Sequence, residues 1–269
     1  MLRPLLATLT AVAAVTALLA GCGSSTSSDA GAPAGSASAS TTAPTFAGEI
    51  TVFAAASLTE SFTTLGKQFE AAHPDARITF SFGPSSSLAT QIIEGAPADV
   101  FASASDTTMD AVVAARAAET PSTFATNVLE IAVPPGNPAN ITTLADLARA
   151  DAKVALCQPD VPCGAVAAKV FAAAGLTVTP VTLESDVKAT LTKVELGEVD
   201  AGVVYVTDVL AAGDKVTGIE IPARVNAATS YPIATLSASK NPDLAKAFRD
   251  DVLSADGASV LAAAGFRKP

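Results

Sequence analysis

Hydroxyl side chains stand at three places where a strand-like run gives way to a helix-like one. The first is Val52-Phe53-Ala54-Ala55-Ala56-Ser57-Leu58-Thr59-Glu60, and the second is Phe82-Gly83-Pro84-Ser85-Ser86-Ser87-Leu88. The third, Val203-Val204-Tyr205-Val206, ends a strand on a phenol. Two more turns, Leu156 to Gly164 and Glu184-Ser185-Asp186-Val187-Lys188, open helices. A helix start presents unpaired N–H groups and about half a positive charge. Hydroxyls converging with such starts can hold a small anion without Lys or Arg. Each hydroxyl also has a plainer reading. Ser57 with Glu60 three residues on fits a capping box. One serine of Ser85, Ser86 and Ser87 serves as an N-cap, although three exceed that need. Tyr205 fits a core aromatic with a satisfied hydroxyl.

The residues for most other chemistry are missing. The single histidine, His73, precedes Pro74 in a helix-terminating loop and reads as a surface residue, which excludes a Ser-His-Asp triad and any multi-His metal site. The chain has no G-x-S-x-G elbow, P-loop or G-x-G-x-x-G. Its acidic residues are scattered and form no calcium loop, so no free-cation site is expected. An exported serine hydrolase would have to use Ser57 or Ser86 with a Lys or another base, so the expectation is a protein that is not an enzyme. The net charge of −10 without basic clusters argues against nucleic acid and anionic lipid surfaces.

Short β-rich runs alternate with helical stretches through the body of the chain. Strands are predicted at Glu49–Ala56, Ala76–Phe82, Asp99–Ala104, Val128–Val133, Lys153–Leu156, Thr177–Thr182 and Ala201–Val206. Helices are predicted over Ser57–Ala72, from about Ser87 to Glu94, from near Asp106, and from Asn241, where Pro242 follows a good N-cap. Such alternation implies βαβ units and mainly parallel sheets covered on both faces. The fold class is therefore α/β. Apolar residues at 49% and charged residues at 16% are ample for a core. In open α/β sheets ligands lie outside the carboxyl ends of the strands, where the turns above are found.

The first 21 residues read as a secretory signal, with Arg3 before an apolar run from Leu5 to Leu19. Leu19-Ala20-Gly21-Cys22 resembles the bacterial lipoprotein cleavage box, in which the Cys is lipidated; the alternative is an ordinary signal with an incidental Cys22. Residues 22–46 are mostly Ser, Thr, Ala, Gly and Pro and read as a flexible tether. The protein is thus expected outside the cytoplasm, held to the membrane only by a lipid anchor. Cys157 and Cys163 flank a loop with two prolines; an oxidising compartment permits a disulfide between them, and the alternative is two free thiols.

At these same turns the sequence resembles the periplasmic molybdate-binding proteins of ABC transporters. The matching pieces are Ile50 to Thr59, Ser85 to Ile92, Gly95-Ala96-Pro97-Ala98-Asp99-Val100-Phe101-Ala102-Ser103-Ala104, Val161-Pro162-Cys163-Gly164, Asp186-Val187 and Gly202-Val203-Val204-Tyr205. They fall in order through about Gly48 to Lys268. The resemblance implies a type II periplasmic-binding-protein fold of two α/β lobes joined by crossing strands. It places lobe I at 47–126 plus 232–269, lobe II at 127–231, and an oxyanion in the cleft. It implies ligand contacts from Ser57, Ser86 and Tyr205, and from the backbone N–H groups of Cys163 and Val187. Which of Ser85, Ser86 and Ser87 is the contact stays open by one residue. It further implies a monomer that delivers molybdate or tungstate to a membrane permease, with no cofactor. Such a site selects against smaller sulfate by size; a receptor for sulfate or another oxyanion is the alternative within this class.

Overall fold

The computed structural model describes residues 46–269. The expectations for the signal segment, for Cys22 and for the tether up to residue 45 lie outside the described residues. Phe46, the last tether residue, is already partly buried; it stacks on the Phe69 ring at 6.5 Å between centroids and meets the His73 ring edge to face at 5.2 Å. His73 is itself partly buried against Phe69 and is not the surface residue expected from its loop.

The order of elements is β1 (Gly48–Ala55), α1 (Thr59–Ala72), β2 (Ala76–Gly83), α2 (Ser85–Ile93), β3 (Val100–Ala102), α3 (Asp106–Ala114) and β4 (Ser122–Val133). There follow β5 (Val154–Cys157), α4 (Pro162–Ala174), β6 (Thr182–Glu184), α5 (Val187–Glu195), β7 (Ala201–Tyr205) and α6 (Val206–Ala212). The chain closes with β8 (Thr217–Glu220), β9 (Ala228–Thr235), α7 (Pro242–Val252) and α8 (Ala255–Ala263). The strands run in the order β2-β1-β3-β9-β4-β7-β5-β6, with β8 also paired to β4. β1 is parallel to β2 and β3, and β5 is parallel to β6 and β7.

Two strands join the halves. Residues 122–128 of β4 pair antiparallel with β9, whereas Leu129–Val133 pair with β7 and β8. β9 leads the chain back and pairs antiparallel with β3.

Side-chain alternation explains why the first half needs helices on both faces. Ile50, Val52 and Ala54 of β1, with Tyr231 and Ile233 of β9, enter a core with Phe62, Leu65, Phe69 and Phe248. Phe53, Phe101 and Ala234 point the other way, to Leu88, Ile92, Met109 and Val112. In α1 the buried residues Phe62, Leu65 and Phe69 recur at helical spacing, which makes one apolar stripe. The second half has one continuous core around Ile131, Val154, Val170, Leu191 and Val203.

Several boundaries differ from the sequence expectation. Residues 177–181 form no strand; β6 is short and partly exposed at Thr182–Glu184. β4 starts six residues before the expected Val128, and the antiparallel strands β8 and β9 were not foreseen. α2 opens at Ser85 instead of Ser87.

Candidate functional site

Six strand-to-helix connections open on one small cavity at the carboxyl ends of the parallel strands. Ala55, Ala56 and Ser57 follow β1; Gly83, Pro84 and Ser85 join β2 to α2; Ala104 follows β3. From the second half come Val161, Pro162 and Cys163 at the start of α4, Asp186 and Val187 at the start of α5, and Tyr205 at the end of β7. About 20 Å³ is open to the centre of a water-sized sphere, which suits a ligand of a few heavy atoms.

Ser57 is not a helix cap. It is buried within a short 3-10 turn, Ala56–Leu58; α1 begins after Leu58 with no side-chain cap. Its Oγ lies 2.8 Å from the buried Tyr231 Oη. Glu60, the other half of the expected capping box, instead reaches Lys188. The capping reading of Ser57 therefore fails.

Among the three serines, Ser85 lines the cavity and is 1% exposed; Ser86 is partly buried, Ser87 is exposed, and neither lines it. Ser85 Oγ accepts the Ala104 N–H at 3.0 Å, and Thr229 Oγ1 anchors the Ala104 carbonyl at 2.7 Å. A hydroxyl has one proton and two lone pairs. With a lone pair of Ser85 engaged by Ala104, its proton stays available to the cavity. The same holds for Ser57 when Tyr231 donates to it.

Tyr205 is 1% exposed and lines the cavity, yet its hydroxyl has no hydrogen-bond partner. A buried unpaired phenol is costly and needs a reason, and a ligand that accepts its proton supplies one. Burial raises the pKa of both Tyr205 and Tyr231 above the ordinary phenol value, so both remain donors at any physiological pH.

The second half adds backbone donors. Pro162 occupies the first turn of α4, where its missing N–H costs nothing, and Cys163 follows with its first-turn amide. A disulfide joins Cys163 to Cys157, with Cα atoms 5.8 Å apart, so the loop before α4 is closed covalently. Gly164 completes this corner: a Cβ there would collide with the Gln158 carbonyl and come within 2.8 Å of the Cys157 carbonyl oxygen. In α5 the Asp186 carboxylate caps Ala189 N–H at 2.9 Å, which leaves the Val187 amide at the helix mouth.

Lys and Arg are absent from the lining, and Asp186 is occupied by its cap. The donors are therefore neutral hydroxyls and helix-start amides. Such a set can bind a fully ionised oxyanion, whose every oxygen accepts, and offers nothing to a ligand proton. Neither serine is placed for nucleophilic catalysis. Ser57 meets a tyrosine, Ser85 meets a backbone amide, and His73 lies beyond the far end of the 14-residue α1, about 20 Å along that helix. Among the described residues no cluster of His, Cys, Asp or Glu could hold a metal ion, and no helix is long and apolar enough to cross a membrane.

Of the residues expected from the sequence, the cavity brings together Ser57, Cys163, Val187 and Tyr205; it takes Ser85 in place of Ser86. Tyr231 behind Ser57 was missed, as was the ion-pair group Glu60, Lys188 and Asp208. Local patterns contain no sign of either, because Tyr231 is 174 residues from Ser57 and Lys188 is 128 from Glu60.

Residues 50–267 match the family described as bacterial extracellular solute-binding protein. The chain is 44% identical over 224 residues to the molybdate-binding protein ModA of Mycobacterium tuberculosis, covering 83% of this chain and 86% of that protein. It is 32% identical over 234 residues to the molybdate-binding protein ModA of Escherichia coli, covering 81% and 89%. The periplasmic molybdate-binding protein of Azotobacter vinelandii superposes with a TM-score of 0.74 at 21% identity, covering 82% of this chain and 99% of that one. That likeness identifies the fold as the two-lobed type II periplasmic-binding-protein fold.

Proposed function

The chain belongs to the bacterial extracellular solute-binding proteins, a class without enzymatic activity, and we propose that it captures molybdate for import by an ABC transporter. One arrangement supports this above all: three hydroxyls, of Ser57, Ser85 and Tyr205, share a cavity with the first-turn starts of α4 and α5 and with no basic residue. In this reading Ser57 and Ser85 donate from lobe I, and Tyr205 with the Cys163 and Val187 amides donates from lobe II. A closed cleft of low dielectric strengthens each of these bonds, and together they offset the desolvation of a dianion.

Tungstate, with the charge and shape of molybdate and nearly its size, is bound as well; sulfate is rejected because it is too small to span the donors. The lobes are 47–126 plus 232–269 and 127–231, a division supported by the change of β4 partners between Val128 and Leu129. Cys22 carries the lipid anchor after removal of residues 1–21, and the tether lets the monomeric binding domain reach its permease. The Cys157–Cys163 bridge is formed in the exported protein and stiffens the loop that presents the Cys163 amide.

Calorimetric titration with molybdate, tungstate, sulfate and phosphate tests the proposal. One-to-one binding of the first two at about −10 kcal/mol or better, with sulfate a thousandfold weaker, is expected. Preferred binding of sulfate or phosphate refutes the specificity, and no binding of any oxyanion refutes the site.

A further inference from the structure

Lys188 follows the proposed ligand donor Val187 at the start of α5, and its side chain is 24% exposed. Its Nζ lies 2.9 Å from both carboxylate oxygens of Glu60 on α1, across the cleft between lobes. The same Nζ lies 3.2 Å from Asp208 Oδ1 on α6. Asp208 is fully buried, and its other oxygen accepts the Tyr205 N–H at 3.1 Å. Glu60 stands three residues after Ser57, Lys188 one after Val187, and Asp208 three after Tyr205. A single ammonium thus ties together the three chain segments that carry donors from both lobes.

The geometry points to Lys188 as a positioning residue that latches the cleft: its bond to Glu60 holds the lobes together, and its bond to Asp208 holds Tyr205 in place. This rests on the reading of the cavity as the oxyanion site. The two bonds have different consequences. Glu60 is half exposed, so its pair with Lys188 is screened by water and adds modestly to closure. Asp208 has Lys188 as its ion-pair partner; without that partner a buried carboxylate would stand uncompensated beside an anion site. Lys188 also neutralises a charge that would repel the ligand. The latch therefore shapes affinity without touching the oxyanion.

Molybdate affinity and dissociation rate of the full-length protein, with Glu60→Gln, Lys188→Arg and Lys188→Met, test this. Glu60→Gln is expected to weaken binding about threefold, mostly by faster dissociation, and to leave the melting temperature of the ligand-free protein unchanged. Lys188→Met should weaken binding about thirtyfold or more, and Lys188→Arg should restore it to within about threefold. Wild-type binding with Glu60→Gln and Lys188→Met equal to it overturns the latch alone. Absence of binding by the wild type overturns the ligand reading and the latch with it.

Discussion

The two lobes meet the cavity with different chemistry. Lobe I presents serine hydroxyls, each held from behind by a protein partner: the Tyr231 hydroxyl for Ser57 and the Ala104 amide, as donor, for Ser85. Lobe II presents helix-start amides at Cys163 and Val187, with one phenol, Tyr205, that has no partner. A hydroxyl can be deleted without disturbing the chain, whereas a backbone donor can be moved only by moving the backbone. Lobe I should therefore lose affinity in separate steps, and lobe II should lose it all at once where a helix start shifts.

The largest effect should come from Gly164→Ala. The new methyl group has no room beside the carbonyls of residues 157 and 158, so α4 must retreat and take the Cys163 amide with it. Overpacking of this kind is expected to cost about 3 kcal/mol of stability, with binding about a hundredfold weaker by calorimetry. Unchanged affinity would break the claim that lobe II acts through its backbone.

Tyr205→Phe separates binding from folding. Loss of a hydrogen bond to a charged ligand should weaken molybdate binding tenfold to a hundredfold, or about 1.5–3 kcal/mol. The ligand-free protein should melt no lower, because the hydroxyl removed has no partner there. A lower melting point with full affinity would make Tyr205 a structural residue.

Within lobe I, Ser85→Ala should cost about tenfold in affinity and Ser86→Ala less than about twofold. The reverse order, read from the same titrations, would return the contact to Ser86 and shift the start of α2.

The smallest effect is a pH dependence of stability in lobe II. Burial raises Asp208 from 3.8 to about 6, against the opposing pull of Lys188 and the Tyr205 N–H, with Glu60 nearby adding to the rise. Burial pulls Lys188 down, but Asp208 and Glu60 outweigh it and hold it above its ordinary value. Lys188 thus stays charged throughout the window in which Asp208 titrates. Because the folded state takes up the Asp208 proton before the unfolded state does, this group adds stability as pH falls from about 6 toward 4. The melting temperature should carry that contribution in the native protein and lose it in Asp208→Asn. Identical pH profiles for the two would remove Asp208 from the account.

The α/β fold was legible in the sequence because strand and helix runs alternate strongly, and the strand-to-helix turns read from it line one cavity. What was not legible has physical causes. The segment Thr177–Thr182 carries a β-branched pattern but mostly stays out of the sheet, and only Thr182 to Glu184 pair with β5. β9 contains Pro232, which has no N–H to give to a ladder, yet the strand pairs with β3 and β4 along most of its length. Ser57 and Glu60 have the spacing of a capping box, but tertiary partners claim both. The one-residue difference between Ser85 and Ser86 arose from the start of α2, which opens directly after Pro84. Patterns within ten residues predict elements; the partner of Ser57, 174 residues away, is beyond their reach.

The most direct test is a crystal structure of the molybdate complex with the molybdenum located by its anomalous scattering. The oxyanion should lie in this cavity, with its oxygens about 2.6–3.2 Å from Ser57 Oγ, Ser85 Oγ, Tyr205 Oη and the amide nitrogens of Cys163 and Val187. Molybdenum elsewhere, or an oxyanion held by Lys or Arg side chains, would contradict the account.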